Sequence, residues 1–259
     1  MKNESNQEEL PQKALESIGV WKDGKALLSK EDLDALLAGR RTSFIRLENL
    51  HTDGFQIPQL DVKLSLSLNA EGKPDLVFHP IYKEAKPHPL LTDGEAMDLI
   101  EGQKDSLLKT YKPEGKEALQ VVLQYDKDTR EFITYNPSKV QVPEEINGQK
   151  LTEKQKESYK RGELITLEDQ TNLRIAASDS KGVLSDKAAL ILSFLTDGGI
   201  TYLVIKGLKD LDGRLPATGF SEGYKKALED MERRDPSDDK EIRKNSPEIS
   251  RGYSRTGSR

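Results

Sequence analysis

Leu28-Ser29-Lys-Glu-Asp32-Leu33-Asp-Ala-Leu36-Leu37-Ala-Gly39-Arg40-Arg41-Thr42 decides how this chain is read, because its plan recurs twice. Leu91-Thr92-Asp-Gly-Glu95 runs on to Gly102, and Leu151-Thr152-Glu-Lys-Gln155 runs on to Gly162. Hydroxyl and glycine are 10 residues apart each time (39−29, 102−92 and 162−152). A Ser or Thr side chain accepts a hydrogen bond from an unpaired amide of the first helical turn, so Ser29, Thr92 and Thr152 predict helix starts. Glu95 and Gln155 can reach back to the capping residue's own N–H and complete a capping box. Asp32 is one methylene shorter and predicts a looser box. Leu28, Leu91 and Leu151 stand where a hydrophobic staple begins. Gly39, Gly102 and Gly162 suit the left-handed position just past a helix end.

A helix of about ten residues does not persist alone in water, so Leu33, Leu36 and Leu37 need cover. The following residues supply it, because after each glycine the period shortens toward alternation. Ser43–Glu48, Ser106–Tyr111 and Glu163–Glu168 predict short strands. Leu60, Val62, Leu64, Leu66 and Leu68 then alternate with Asp61, Lys63, Ser65, Ser67 and Asn69, a strand with one buried and one wet face. Asn69–Pro74 turns it into Leu76–Ile81. The second copy reads Leu119–Tyr125, turn Asp126–Arg130, Glu131–Tyr135; the third reads Ala188–Leu195, turn Asp197–Gly199, Ile200–Ile205.

The expected fold class is therefore α+β: three tandem repeats, each a short capped helix followed by a strand and a β-hairpin, with a disordered C-terminal tail. The expected boundaries are 1–27 for an N-terminal segment with a short helix, 28–88, 89–142 and 143–215 for the repeats, and 216–259 for the tail. Residues 1–8 read as frayed, Pro11–Ile18 as the short helix, and Tyr224–Arg234 as a marginal helix within the tail. Proline-rich Lys86–Pro89 and the stretch Asn136–Gly148 read as linkers. Trp21, the single tryptophan, is expected to be a packing anchor.

With 34 % hydrophobic and 33 % charged residues in 259, several small cores are favoured over one large one. The absence of cysteine excludes disulfides and thiolate metal sites and suits a reducing compartment. No stretch approaches the roughly 20 apolar residues of a membrane helix, and Met1–Glu9 lacks the apolar core of a secretory signal. A cytoplasmic protein with no membrane partner is expected. The net charge of −5 sets whole-molecule electrostatics against nucleic acid, leaving only a local basic face for it.

The three histidines, His51, His79 and His88, show no metal-ligand spacing. There is no nucleophile elbow, phosphate-cradling loop or dinucleotide fingerprint, and no pair of acids stands out for proton transfer. The sequence predicts no catalytic residue, no cofactor and no metal. Arg40 and Arg41, followed by Thr42, are its most pointed feature. They either offset the partial negative charge of a helix C-terminus or grip a phosphate or acidic partner. Lys104 in the second copy, and Lys160 with Arg161 in the third, keep all three helix ends basic, which favours the electrostatic reading. Arg251, Arg255 and Arg259 form an Arg/Gly/Ser end that reads as a solvated terminus or a loose nucleic-acid contact.

Leu33–Thr42 and Val142-Pro143-Glu-Glu-Ile-Asn-Gly-Gln-Lys-Leu-Thr152-Glu-Lys-Gln155 resemble paired families of unknown function found in proteins of gut-bacterial conjugative elements. Related segments are appended to the C-terminal side of type IA DNA topoisomerases. The resemblance spans residues 9–210 and rests on Gly39-Arg-Arg-Thr42 and on the Pro-Glu-Glu-Ile-x-Gly lead-in. The third copy departs from the first at Tyr159-Lys160, where the first has Leu36-Leu37. The resemblance implies a mobile-element context and brings no catalytic residues. The expectation is a non-catalytic adaptor that binds a partner protein of DNA processing or transfer. The alternative is a nucleic-acid-binding accessory using the basic helix ends and the Arg-rich tail. Oligomeric state is left open.

Overall fold

The computed structural model describes residues 10–52, 54–112, 115, 117–196, 199–216 and 219–233. The expectations for residues 1–8, for the turn at 197–198 and for the tail from 234 onward, with Arg251, Arg255 and Arg259, lie outside these residues. The fold mixes short helices with several small antiparallel sheets. It divides into two compact units. The first comprises the chain up to Asn136 together with Ala177–Gly182; the second runs from Pro137 to Ala176 and onward from Val183.

In the first unit, helix α1 (Gln12–Ser17) buries Leu15, and strands β1 (Trp21–Lys22) and β2 (Lys25–Ala26) form a minimal hairpin. Helix α2 (Lys30–Leu37) follows, then strands β3 (Ile45–Thr52), β4 (Phe55–Leu68) and β5 (Pro74–Pro80), paired in that order. The alternation of β4 places Val62 and Leu64 in one core with Leu47, Leu76, Leu33, Leu36 and Leu15. Trp21 is buried there as an anchor. Each such leucine, fully buried, contributes about 1.5–3 kcal/mol, which is what holds a two-turn helix in place.

The cap of α2 differs from the expected loose box. Ser29 Oγ accepts the Asp32 N–H at 3.0 Å, as predicted. The Asp32 carboxylate accepts a hydrogen bond from the Ser29 O–H at 2.7 Å and from both the N–H and the O–H of Ser43 at 2.7 Å. The shorter side chain cannot close the box, so it ties the helix start to the residues leading into β3.

Helix α3 (Asp93–Ile100) carries a complete capping box between Thr92 and Glu95. Strands β6 (Leu107–Tyr111), β7 (Leu119–Asp126) and β8 (Glu131–Tyr135) form the next sheet, with Leu99, Val121, Leu123 and Phe132 as its core.

In the second unit, strands β9 (Glu145–Ile146) and β10 (Gln149–Lys150) flank Asn147-Gly148. Both turn residues have positive φ (52° and 73°), the geometry of a type I′ hairpin. This corrects the linker expected at Asn136–Gly148: Asn-Gly between short strands is itself a hairpin signal. Helix α4 (Glu153–Lys160) has a complete Thr152–Gln155 capping box and buries Tyr159, the residue by which its copy departs from the first. Strands β11 (Ile165–Thr166), β12 (Asn172–Ile175) and β13 (Val183–Ser185) form one sheet.

Strands β14 (Ala189–Thr196) and β15 (Gly199–Lys206) form the expected third hairpin, but it belongs to a different sheet, ordered β10-β9-β14-β15. The third strand and hairpin are therefore not joined as the repeat plan requires, because β9 takes the edge of β14. Helix α5 (Glu222–Glu232), capped by Ser221, buries Tyr224 and Ala227 against Ala189 and Ile191. Residues 221–232 are thus part of the second unit's core, not of a tail: apolar positions three apart turn an otherwise polar segment into a packed helix.

Candidate functional site

The outward face of β4 was expected to be wet, yet Lys63 and Ser65 are only 2 % and 5 % exposed. The turn between β7 and β8 covers that face with carboxylates. Lys63 Nζ lies 3.1 Å from Asp126 Oδ1 and 2.7 Å from Asp128 Oδ2, and donates to the Ser178 carbonyl at 3.0 Å. Arg41 leaves the end of α2 for the same place. Its Nη1 contacts Asp126 Oδ2 at 2.8 Å, Thr129 Oγ1 at 2.7 Å and Glu131 Oε2 at 3.0 Å.

Asp126 is therefore shared by two cations inside the first unit. Burial alone would raise its pKa; Lys63 and Arg41 outweigh that and hold the carboxyl below the ordinary range. Ion pairs this deep hold only if each partner stays, because a buried charge without its counterion is strongly unfavourable.

Fully buried His79 extends the cluster. Its Nδ1 is 2.9 Å from Glu131 Oε2 and its Nε2 is 2.8 Å from Ser65 Oγ. A carboxylate only accepts, so Nδ1–H donates to Glu131, and in the neutral ring Ser65 O–H donates to Nε2. The order Ser–His–acid is that of a hydrolytic triad. The surroundings are not: Ser65 is buried mid-strand opposite Val77, within the β4–β5 ladder. A nucleophile needs an open face and amides aimed at a developing oxyanion. This bracket ties β4 and β5 to β8.

Residues 177–182 complete the cluster. Gln124 Oε1 accepts the Ala177 N–H at 2.9 Å, and the Ser180 carbonyl accepts from Arg40 Nε and Nη2 at 3.2 and 3.0 Å. Ser180 Oγ donates to Glu31 at 2.6 Å, and Lys181 pairs with Glu31. Gly182 (φ +74°) admits this approach, since a Cβ there would stand 2.8 Å from Arg40 Cδ.

The second unit has its own polar hub. Asn147 Oδ1 accepts the Ile191 N–H at 3.1 Å, and its Nδ2 donates to Ser221 Oγ at 3.2 Å. Ser221 in turn donates to Asp169 Oδ2 at 2.7 Å. Burial raises the pKa of Asp169, but hydrogen bonds from Ser221, Thr171 and Asn147 leave it lowered overall.

The residues proposed from sequence to bind a partner fall into three kinds. Arg41 and Thr42 are buried, Arg41 in the ion cluster and Thr42 pairing its backbone N–H and Oγ1 with Leu64 O and N at 2.9 Å. Arg40 is half-buried against Ser180. Lys104 is 2.7 Å from Asp98 of the preceding helix and Lys160 is 2.7 Å from Glu157 of its own helix, while Arg161 is the exposed C-cap of α4. Lys104 shares the first unit with Arg40–Thr42; Lys160 and Arg161 belong to the second. Sequence reasoning missed Lys63, Ser65, His79, Asp126 and Glu131, which lie on strands and turns far apart in the chain with no spacing to join them. Among the described residues, no three His, Asp or Glu side chains group as metal ligands, and no helix is long and apolar enough to cross a membrane.

No curated protein and no solved structure matches the chain. Two family models do: residues 6–89, which include Arg41, Lys63, Ser65 and His79, match the one described as Protein of unknown function (DUF4099), and residues 143–174, which include Asn147 and Asp169, match the one described as Protein of unknown function (DUF3945).

Proposed function

We propose that this chain is a non-catalytic interaction module, an adaptor that engages a partner protein of DNA processing or transfer in a mobile genetic element. One observation carries the reading. The side chains best suited to chemistry (Lys63, Ser65, His79, Asp126 and Glu131) are buried and bonded to one another. The partner class comes from the resemblance of residues 33–42 and 142–155 to conjugative-element and topoisomerase-linked segments. The finer architecture belongs to the same proposal: three tandem copies of one unit. It rests on three helices of 8 residues, capped by Ser29, Thr92 and Thr152, each followed by a three-stranded antiparallel sheet.

Binding of the purified chain to the DNA-processing and transfer proteins of its own element tests this, with a serine-hydrolase probe as the second arm. Saturable binding by one of those proteins and an unlabelled Ser65 are expected. No binding to any of them, or covalent labelling of Ser65, overturns the proposal.

A second reading, a nucleic-acid-binding accessory, is favoured by a different feature. The β7–β8 turn aims Asp126 and Thr129 inward, while Lys127 and Arg130 are exposed. Arg130 donates to the Lys83 carbonyl, Tyr82 N–H donates to Thr129 O at 3.2 Å, and Lys86 Nζ stands 3.8 Å from the Tyr82 ring centre. Basic side chains beside an aromatic ring suit a single strand. Affinity for generic single-stranded DNA that falls steeply with salt, and is lost in Lys86→Glu with Arg130→Glu, supports this reading; salt-independent or absent binding removes it.

A further inference from the structure

Strand β15 ends its sheet, and its hydrogen-bonding direction follows from its neighbours. Ile191 turns both backbone groups toward β9, accepting the Asn147 N–H at 2.8 Å and donating to Asn147 Oδ1 at 3.1 Å. Ser193 O likewise accepts the Glu144 N–H at 2.8 Å. Antiparallel residues alternate in direction, so Leu190, Leu192 and Phe194 face β15 and bond Ile205, Leu203 and Thr201. Ile200, Tyr202 and Val204 therefore aim their backbone groups away from the sheet. Among the described residues no backbone hydrogen bond reaches Ile200 or Val204 from that side.

Edges of this kind are ordinarily blunted by proline, a bulge or an inward charge. From Gly199 to Ile205 this strand has none of them; Lys206 is its first charge. Residues 200 to 205 are all only partly covered, and Leu195, opposite Ile200 on β14, is 71 % exposed.

We propose that β15 pairs antiparallel with β15 of a second copy about a two-fold axis at Tyr202, so that two four-stranded sheets become one. The strand is its own complement. A two-fold axis perpendicular to a sheet keeps each side chain on its face, so opposed residues must have the same parity, and the outward-facing set meets that condition. Ile200 falls opposite Val204 of the second copy, Val204 opposite Ile200, and Tyr202 opposite Tyr202. Apolar and aromatic cross-strand pairs of this kind are stabilising, and no like charges are opposed. The contact is isologous and closes at two copies. At the other end of the sheet, β10 has only two residues, too few to continue the array.

Sedimentation equilibrium of the full chain should give twice the 29.1 kDa chain mass. Ile200→Lys and Val204→Pro should return it to monomer at the same concentration, since Pro at 204 removes only an outward donor. The cysteine-free chain permits a test of register. Opposed, hydrogen-bonded residues have Cα atoms about 5.5 Å apart, within the roughly 4.4–6.8 Å span of a disulfide. Tyr202→Cys should therefore form a linked dimer on mild oxidation, while Leu203→Cys, offset from its own copy, should not. A chain that stays monomeric at its highest soluble concentration, or a dimer unaffected by both edge variants and not linked through position 202, overturns the proposal. So does protection of β15 amides from exchange only when another protein is added, which would make the occupant a partner strand.

Discussion

Arg41 and Asp126 are 85 residues apart in the chain and 2.8 Å apart in the fold, both buried. Asp126 also holds Lys63, so one carboxylate is shared by two cations that reach it from different elements. Replacing Asp126 with Ala removes the buried carboxylate they share and leaves Lys63 to half-exposed Asp128 and Arg41 to Glu131. The expected loss is about 3–5 kcal/mol, read as a lowered urea midpoint for the first unit. Asp61→Asn, which breaks the exposed pair of Arg46 and Asp61 at 2.9 Å, should leave the urea midpoint nearly unchanged, because solvent screens that pair.

The folded Asp126 carboxyl is held below its unfolded value, about 3.9. Its contribution is therefore fully present above that pH and is lost as pH falls through the folded value. Glu95 behaves with the same sign: its hydrogen bond from Lys109, then that from the Thr92 N–H, lower it from 4.5 to about 2. Carboxyl NMR titration should find Glu95 still ionised at pH 3, and Lys109→Met should move its midpoint back toward the ordinary value while leaving Asp126 in place.

Asn147 combines a left-handed backbone with a side chain that joins Ile191, Ser221 and Asp169. Asn147→Gly keeps the turn and loses the bonds; Asn147→Ala loses both. Thermal unfolding of the second unit should rank them wild type, Gly, Ala, with the alanine variant lower by about 2–3 kcal/mol.

The three helix caps should separate by what else they hold. Thr92→Ala and Thr152→Ala each remove one cap and should cost about 1 kcal/mol. Asp32→Ala also releases Ser43 from the start of β3 and should cost about 2–3 kcal/mol, measured by chemical denaturation.

The caps at Ser29, Thr92 and Thr152, the hairpins of β4–β5, β7–β8 and β14–β15, and the short helices at both ends of the described chain were legible in the residue order. Such features depend on neighbours within a few positions: a hydroxyl beside an amide, an alternation of period two, a glycine at positive φ. Asn147-Gly148 was equally local, but the nearby prolines masked it as a linker.

The polar cluster was not legible. Lys63 and Ser65 occupy positions that alternation assigns to solvent, and Arg41 sits where helix electrostatics alone would justify a cation. Their burial follows from which elements came to lie over β4, and no periodicity encodes that. The sequence by itself determined where the three capped helices start and where three of the hairpins lie, because those are contests between adjacent groups. Only the tertiary structure decided which charges are buried and paired, because the free energy of a charge depends on what surrounds it in space, and Asp126, Glu131 and Ser178 are near Arg41 and Lys63 only after folding.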